Sequence, residues 1–209
     1  KKRFPLKIVV DFHENYPMDQ LAWISTKKGL VRLIKLFLFR LKKWVRYEEK
    51  TVCNADYILV VSSEMKDRIL NSYTVNKMKF TAFRNTQDLS ILDQPIDESI
   101  AHQFMGKKVV LYVGGIDNSR DLLTVVKGMR YVDTKVTLLI VGGGDPDCIS
   151  SLKKYIEQNS LHGQVVFIGQ VPFELVFSYI KCSSMGLVPH CDIDRPLSSH
   201  KMYQYMIGG

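Results

Sequence analysis

The sequence predicts an α/β protein of two Rossmann-like, doubly wound domains, both incomplete. Three observations lead there. Short apolar runs alternate with longer amphipathic stretches along most of the chain, the pattern of a parallel sheet covered by helices on both faces. A polar stretch with Pro95 and scattered acids, residues 86–106, interrupts the alternation, which then restarts. The loops after the predicted strands are rich in glycine, and ligands of such sheets bind beyond the carboxyl ends of the strands.

In chain order, KIVVDF (7–12) is a β-branched apolar run and predicts a buried strand, and HENYP predicts a loop. Residues 27–47 predict one long helix. ADYILVVS (55–62) predicts a second strand, 62–73 a helix capped by Ser62 or Ser63, and 79–85 a short third strand. This first domain spans 1–85, and 86–106 is a linker. In 107–209, strands are predicted at 108–115, 135–144, 164–169 and 184–190. Helices are predicted at 119–132, 148–161, 173–183 and 200–206. Right-handed crossovers turn these four strand–helix units into a doubly wound sheet.

Bulk properties narrow the class. The 209 residues suit one large domain or two small ones, at ~150 residues per domain. With 46% hydrophobic and 24% charged residues the composition is that of a globular protein and excludes disorder of the whole chain. No run of ~18 apolar residues is present to span a membrane. The opening KKRFPLKIVVDF lacks the apolar region and cleavage site of a signal peptide, and both ends read as cut from a longer protein. Cys53, Cys148, Cys182 and Cys191 form no CxxC pair and fit neither a zinc site nor a disulfide framework. A reducing, cytosolic compartment follows, and no metal is expected. The net charge of +8 is uneven: +10 over residues 1–85 and −2 over 86–209. Attraction to phosphate-bearing surfaces belongs to the first part.

Two readings stand for each candidate site. In GGIDNSR (114–120), Gly114 and Gly115 let backbone approach a ligand, Ser119 is placed to cap the next helix, and Arg120 adds a forked cation. That combination is an anion site, or else a tight strand–helix turn with Arg120 in solvent. VGGGD (141–145) lacks the dinucleotide spacing GxGxxG, so Gly142 and its neighbours serve a sharp turn beside a ligand or another strand. His13 ends the first strand, either as a hydrogen-bonding or acid/base group or as a structural residue. Residues 27–47 form a basic amphipathic helix. Lys28, Arg32, Lys35, Lys42 and Arg46 lie on one face, and Leu30, Leu33, Ile34, Phe37, Leu41 and Trp44 on another. Such a helix suits an anionic membrane surface, or a solvated basic face. No nucleic-acid module accompanies it.

Seven segments together carry a resemblance: VVDFHENYP (9–17), ADYILVVSSEMKDRI (55–69), FRNTQDL (83–89), VLYVGGIDNSRDL (110–122), LLIVGGGD (138–145), VVFIGQVPFELVFSYIKCSSMGLVP (165–189) and SSHKMYQYMIGG (198–209). In order and spacing they resemble glycosyltransferase family 4, whose members have the GT-B fold. The resemblance implies two Rossmann-like domains facing a cleft. The acceptor sits on the first, here 1–85, and the nucleotide-sugar donor on the second, here 107–209. It implies sugar transfer with retention and without a metal or other cofactor, to a saccharide or lipid-linked acceptor, in polysaccharide or envelope glycan synthesis. Apart from the resemblance, the cysteine usage predicts the cytoplasm, and the basic helix over 27–47 predicts a peripheral place on the inner face of the membrane. Carried onto this chain, the GGIDNSR loop matches the diphosphate loop and Arg120 its basic residue. Gly114-Gly115 stand where a Gly-Arg is usual, so one of two phosphate-binding cations is missing. Gly169 and Val171 of GQVP (169–172) line the base, and His13 lies near the transferred sugar. Lys201 and Gln204 fall on the donor-site helix. Gln204 stands where the second Glu of an E-x7-E pattern binds ribose, and Pro196 where the first would be. A neutral Gln still accepts a ribose hydroxyl, with a loss of ~1 kcal/mol of charge assistance. The lost carboxylates leave open a non-catalytic glycosyltransferase-like binding protein, and the fold leaves open a sugar-nucleotide epimerase.

Overall fold

A computed structural model of the chain describes residues 6–25, 29–189 and 200–209. Its residues group into two compact units, with the change at Asn85 and Thr86.

The first unit contains β1 (Val9–Phe12), α1 (Tyr16–Ser25), α2 (Gly29–Phe39), α3 (Leu41–Asn54), β2 (Tyr57–Val60), α4 (Ser63–Ser72) and β3 (Phe80–Ala82). The strands form a parallel sheet in the order β1-β2-β3, with Val9 beside Tyr57 and Ile58 beside Phe80. Ile58 and Val60 alternate with half-exposed neighbours and pack with Val52, Ala55, Met65, Ile69 and Phe80 into the core. Ser62 starts α4 because its extended backbone lets the hydroxyl accept the Met65 N–H at 3.2 Å. Glu48 on α3 is 8% exposed. It accepts bonds from both Arg68 terminal nitrogens, at 2.8 and 3.2 Å, and from the Tyr73 hydroxyl at 2.9 Å. A bidentate pair of this kind ties α3 to α4.

Two expectations for this unit need correction. The helix predicted over 27–47 is two helices, broken at Arg40, whose backbone is left-handed (φ 45°, ψ 58°). The break lets α3 turn Glu48 and Val52 inward while α2 buries none of its residues. The loop expected after β1 is cut short by α1, where the Asn15 carbonyl accepts from Met18 and Asp19 and Pro17 needs no N–H partner in the first turn.

The second unit contains α5 (Glu98–Phe104), β4 (Lys108–Val113), α6 (Leu122–Gly128), β5 (Val136–Val141), α7 (Pro146–Gln158), β6 (Val165–Gly169), α8 (Phe173–Lys181), β7 (Met185–Gly186) and α9 (His200–Gly208). The stretch 86–106, read as a linker, is folded. Asp97 caps α5 by accepting the Ile100 N–H, and Ile100 and Phe104 are buried. The sheet is parallel throughout, in the order β6-β5-β4-β7. Alternate residues feed two apolar layers. Tyr112, Leu138 and Ile140 pack under α6 and α7. Leu111, Val113, Leu139 and Val141 pack under α5 and α8. Leu138, Leu139 and Ile140 are fully buried, each contributing about 1.5–3 kcal/mol. The strand expected over 184–190 pairs with β4 only at Met185 and Gly186, and its last predicted residue lies outside the described chain.

Candidate functional site

Strand order reverses at β4. The chain moves outward through β5 and β6, then returns to place β7 on the other side of β4. In open α/β sheets the crevice at such a reversal, beyond the carboxyl ends of the strands, is where ligands bind. Three glycine turns lie side by side along that edge. The Gly114 N–H bonds to the Val141 carbonyl at 2.9 Å, and the Gly142 N–H to the Gly169 carbonyl at 2.7 Å. Ile116 and Gly144 form a parallel bridge. A Cβ on Gly142 would lie 2.1 Å from the Gly114 carbonyl oxygen, and φ there is +140°. Only glycine allows this approach.

The side chain laid over this edge is Lys201, from the first turn of α9. Its Nζ donates to the Tyr112 hydroxyl at 3.2 Å and stands 4.5 Å from the centre of that ring. A Cβ on Gly114 would meet Lys201 Cε at 2.3 Å, so the missing side chain at 114 makes the lysine's place. The Tyr112 hydroxyl in turn donates a hydrogen bond to the Gly115 carbonyl. Burial pushes Lys201 down to about 8. The Arg120 charge adds to that, and Asp117 opposes it. Burial raises the Tyr112 phenol, which stays neutral. The Arg120 charge therefore acts on Lys201 at the mouth of the β4 loop, in a setting that disfavours the Lys201 charge until an anion arrives.

The 114–120 loop differs from expectation in one respect. Ser119 does not cap the following helix. Asp117 does the capping, of a short 3-10 turn over Asn118–Arg120, and takes both the Ser119 N–H (2.7 Å) and the Ser119 hydroxyl. A short carboxylate reaches the N–H two residues on better than serine reaches forward here. Asp121 follows with left-handed backbone, and α6 begins only at Leu122. The local positive charge thus comes from side chains. Arg120 Nε lies 3.7 Å from Asp117 Oδ2.

The remaining candidates are spread around this centre. Gly169 ends β6 with φ +85°. Val171 is half-buried and packs into the α5–α8 layer. Gln204 donates through Nε2 to Gln87 Oε1 at 3.2 Å, within the same unit. His13 belongs to the first unit. It is exposed at the end of β1, with Nε2 2.9 Å from Asp11 Oδ2. Pro196 and nearly all of the loop 189–199 lie outside the described residues. Among the described residues no cluster of His, Cys, Asp or Glu could hold a metal ion.

Tyr112 and Tyr205 escaped sequence reasoning. Tyr205 accepts the Val113 N–H at 2.9 Å, and its ring fills the space a Cβ on Gly186 would need, 2.4 Å away. It pins α9, and with it Lys201, to the ends of β4 and β7. The available signal was Tyr112 two residues before Gly114 and Tyr205 beside Gln204, and each looks the same as a core aromatic.

No family model matches the chain. It is 27% identical over 137 residues to an uncharacterized glycosyltransferase of Methanocaldococcus jannaschii, covering 63% of this chain and 34% of that protein. Among solved structures it is similar to HepE of Anabaena in complex with UDP, with TM-score 0.70 and 11% identity over 95% of this chain and 57% of that one. It also resembles sucrose-phosphate synthase of Thermosynechococcus elongatus, with TM-score 0.66 and 20% identity over 90% and 45%. A third match is WaaG, a glycosyltransferase involved in lipopolysaccharide biosynthesis, with TM-score 0.68 and 12% identity over 98% and 58%. The chain thus spans about a third of the curated relative and about half of these solved chains. At such identities the likeness carries the fold: an α/β chain with parallel sheets of the GT-B type.

Proposed function

We propose that the chain is part of a retaining, metal-independent glycosyltransferase of the family 4 type. It moves a sugar from a nucleotide-sugar to a saccharide or lipid-linked acceptor in polysaccharide or envelope glycan synthesis. The second unit carries the donor and the first the acceptor. The observation behind this reading is Lys201 lying across Gly114 beside Arg120, at the strand-order reversal of the second sheet. The glycosyltransferase relative and the UDP bound in HepE of Anabaena point the same way.

The chemistry asks the protein to stabilise a leaving nucleoside diphosphate while the sugar passes through an oxocarbenium-like state. Lys201 supplies the cation that Gly115 lacks, and Arg120 the other. Glycine backbone at 114 and 142 lets the diphosphate come close to both. Charge fixed where the leaving group becomes more negative lowers the barrier. Gln204 uses its nitrogen on Gln87 and offers its oxygen to a ribose hydroxyl, a neutral contact.

Titration of UDP into the full protein, followed by calorimetry, tests the site. Lys201→Met and Arg120→Ala should each weaken binding roughly tenfold or more, the range for a charged hydrogen bond. Equal binding by wild type and both variants removes the site. The anomeric configuration of a product made from UDP-glucose tests retention. The neutral Gln204–Gln87 contact favours a second reading, a nucleotide-sugar binding protein without turnover, which any measured transfer excludes.

A further inference from the structure

Among the described residues, Tyr112 is the largest side chain that is fully buried. It stands next to the end of β4, and its ring shares one apolar layer with Ile116, Leu138 and Ile140. Packing alone asks for no hydroxyl there. Phenylalanine fills the same space, and a buried hydroxyl is costly unless it is paired. This one is paired twice, both times along the glycine edge of the sheet. It donates to the Gly115 carbonyl and accepts from Lys201 Nζ at 3.2 Å. Burial pushes the phenol up, so its proton stays in place. The chain of bonds therefore runs one way, from Lys201 through Tyr112 to Gly115, and each bond strengthens the next.

Each bond answers a need of an anion site. Glycine has no Cβ to hold its peptide in place, and a carbonyl oxygen is the wrong pole to offer a phosphate. The peptide unit joining Gly115 to Ile116 is held at both ends. Tyr112 takes its oxygen, and the Gly143 carbonyl takes its N–H at 2.9 Å. It cannot turn that oxygen toward a ligand without breaking both bonds. The other end of the chain is a lysine, among the side chains that lose most rotamer freedom when fixed. Its ammonium has three N–H donors. The Tyr112 oxygen holds one of them, and the ring centre lies 4.5 Å from Nζ.

We propose that Tyr112 is a positioning residue of the donor site. Its hydroxyl aims Lys201, so that the remaining N–H groups meet the diphosphate, and it locks the Gly115–Ile116 peptide with the carbonyl turned away. This rests on the donor reading above and adds to it a residue that touches no substrate atom. Tyr112 acts through Lys201 and through the loop backbone. The other titratable groups around this chain of bonds are Arg120 and Asp117 on the β4 loop and Tyr205 on α9. Tyr112→Phe leaves all three in place. It removes one oxygen and keeps the ring, so the layer under α6 and α7 stays filled.

The test is calorimetric titration of the full protein with UDP, from about pH 7 to about pH 9, in wild type, Tyr112→Phe, Lys201→Met and the double variant. Tyr112→Phe should weaken binding at neutral pH about tenfold, the loss of one hydrogen bond to a charged group. Losing the oxygen that accepts from the ammonium favours the neutral amine. The fall in UDP affinity with rising pH should therefore begin at a lower pH than in wild type. The two single losses should not add. On Lys201→Met, Tyr112→Phe should cost no more than about threefold, the share left to the Gly115 peptide. Unchanged UDP affinity in Tyr112→Phe overturns the proposal. So does a weaker affinity whose pH profile has not moved, which is what a merely structural tyrosine gives. Losses that add in full overturn it too. In each of these cases Lys201→Met still weakens binding, and the donor reading stands. UDP affinity indifferent to Lys201→Met as well removes the donor site, and this proposal with it.

Discussion

Lys201 is the residue on which the proposed donor site turns, and its protonation gives a directional prediction. Its ordinary value is near 10.5, and burial brings it down to about 8. Between those values the unfolded chain holds the proton and the folded chain does not. The burial penalty on the ammonium is therefore fully present below about pH 8 and relieved as pH rises from there toward 10.5. Anion binding runs the other way, because only the ammonium holds a phosphate. The UDP phosphates are already ionised at neutral pH. The dissociation constant for UDP should thus rise about three- to tenfold between pH 7 and pH 9 in wild type, as Lys201 discharges. In Lys201→Met it should be weaker and nearly flat across that range. A slope that survives Lys201→Met assigns the titration to another group. Gly114→Ala should resemble Lys201→Met in affinity, since its Cβ takes the space of Cε. From the sequence, Gly114 and Lys201 were separate candidates 87 positions apart. Their contact needs the crossing of α9 over β4, which no local pattern records.

At the scale of elements, Tyr205 ties α9 to β4 and β7, beside the Lys201–Tyr112 and Gln204–Gln87 hydrogen bonds. The Tyr205 hydroxyl accepts the Val113 N–H, and the ring packs on Gly186. Tyr205→Phe keeps the ring but strands a buried N–H at the end of β4, a cost of about 1–3 kcal/mol. Because α9 also carries Lys201, the same variant should weaken UDP binding, though it removes no atom from the proposed phosphate contacts. Denaturant melts and UDP titration on one preparation check both. A stability loss with unchanged affinity would show that Lys201 finds its place without Tyr205. Elements with strong periodicity, β4, β5 and α7, were legible within three residues of their ends. Three others were not, for identifiable reasons. The break at Arg40 leaves no trace in periodicity, because the apolar stripes of α2 and α3 read as one and Arg carries no turn signal. α5 is only seven residues, too short for a period to emerge from a polar stretch. β7 pairs over two residues: the Leu187 N–H still bonds to the Leu111 carbonyl, but the ladder does not continue along the apolar run beyond it.

The molecule as a whole has cores that share no residue. The first unit rests on Val52, Ile58, Met65 and Ile69, and the second on the two layers around β4 and β5. This division was legible because the strand–helix alternation restarts after the polar stretch. The folding of that stretch onto the second unit was not, since Ile91, Ile100 and Phe104 are spaced with no regular period in a polar stretch. Separate cores predict that damage stays where it is made. Ile69→Ala removes a fully buried side chain from the first unit, and Leu139→Ala from the second, each costing about 2–5 kcal/mol. Calorimetry of the full chain should resolve two transitions. Ile69→Ala should lower one of them, and Leu139→Ala the other. UDP at a hundred times its dissociation constant should stabilise by about 2.7 kcal/mol, and only the transition that Leu139→Ala lowers should move up. Should both transitions rise equally with UDP, the nucleotide draws on both units and the assignment of the donor to the second unit alone fails. Should UDP raise the transition that Ile69→Ala lowers, the donor belongs to the first unit and Lys201 is a structural residue.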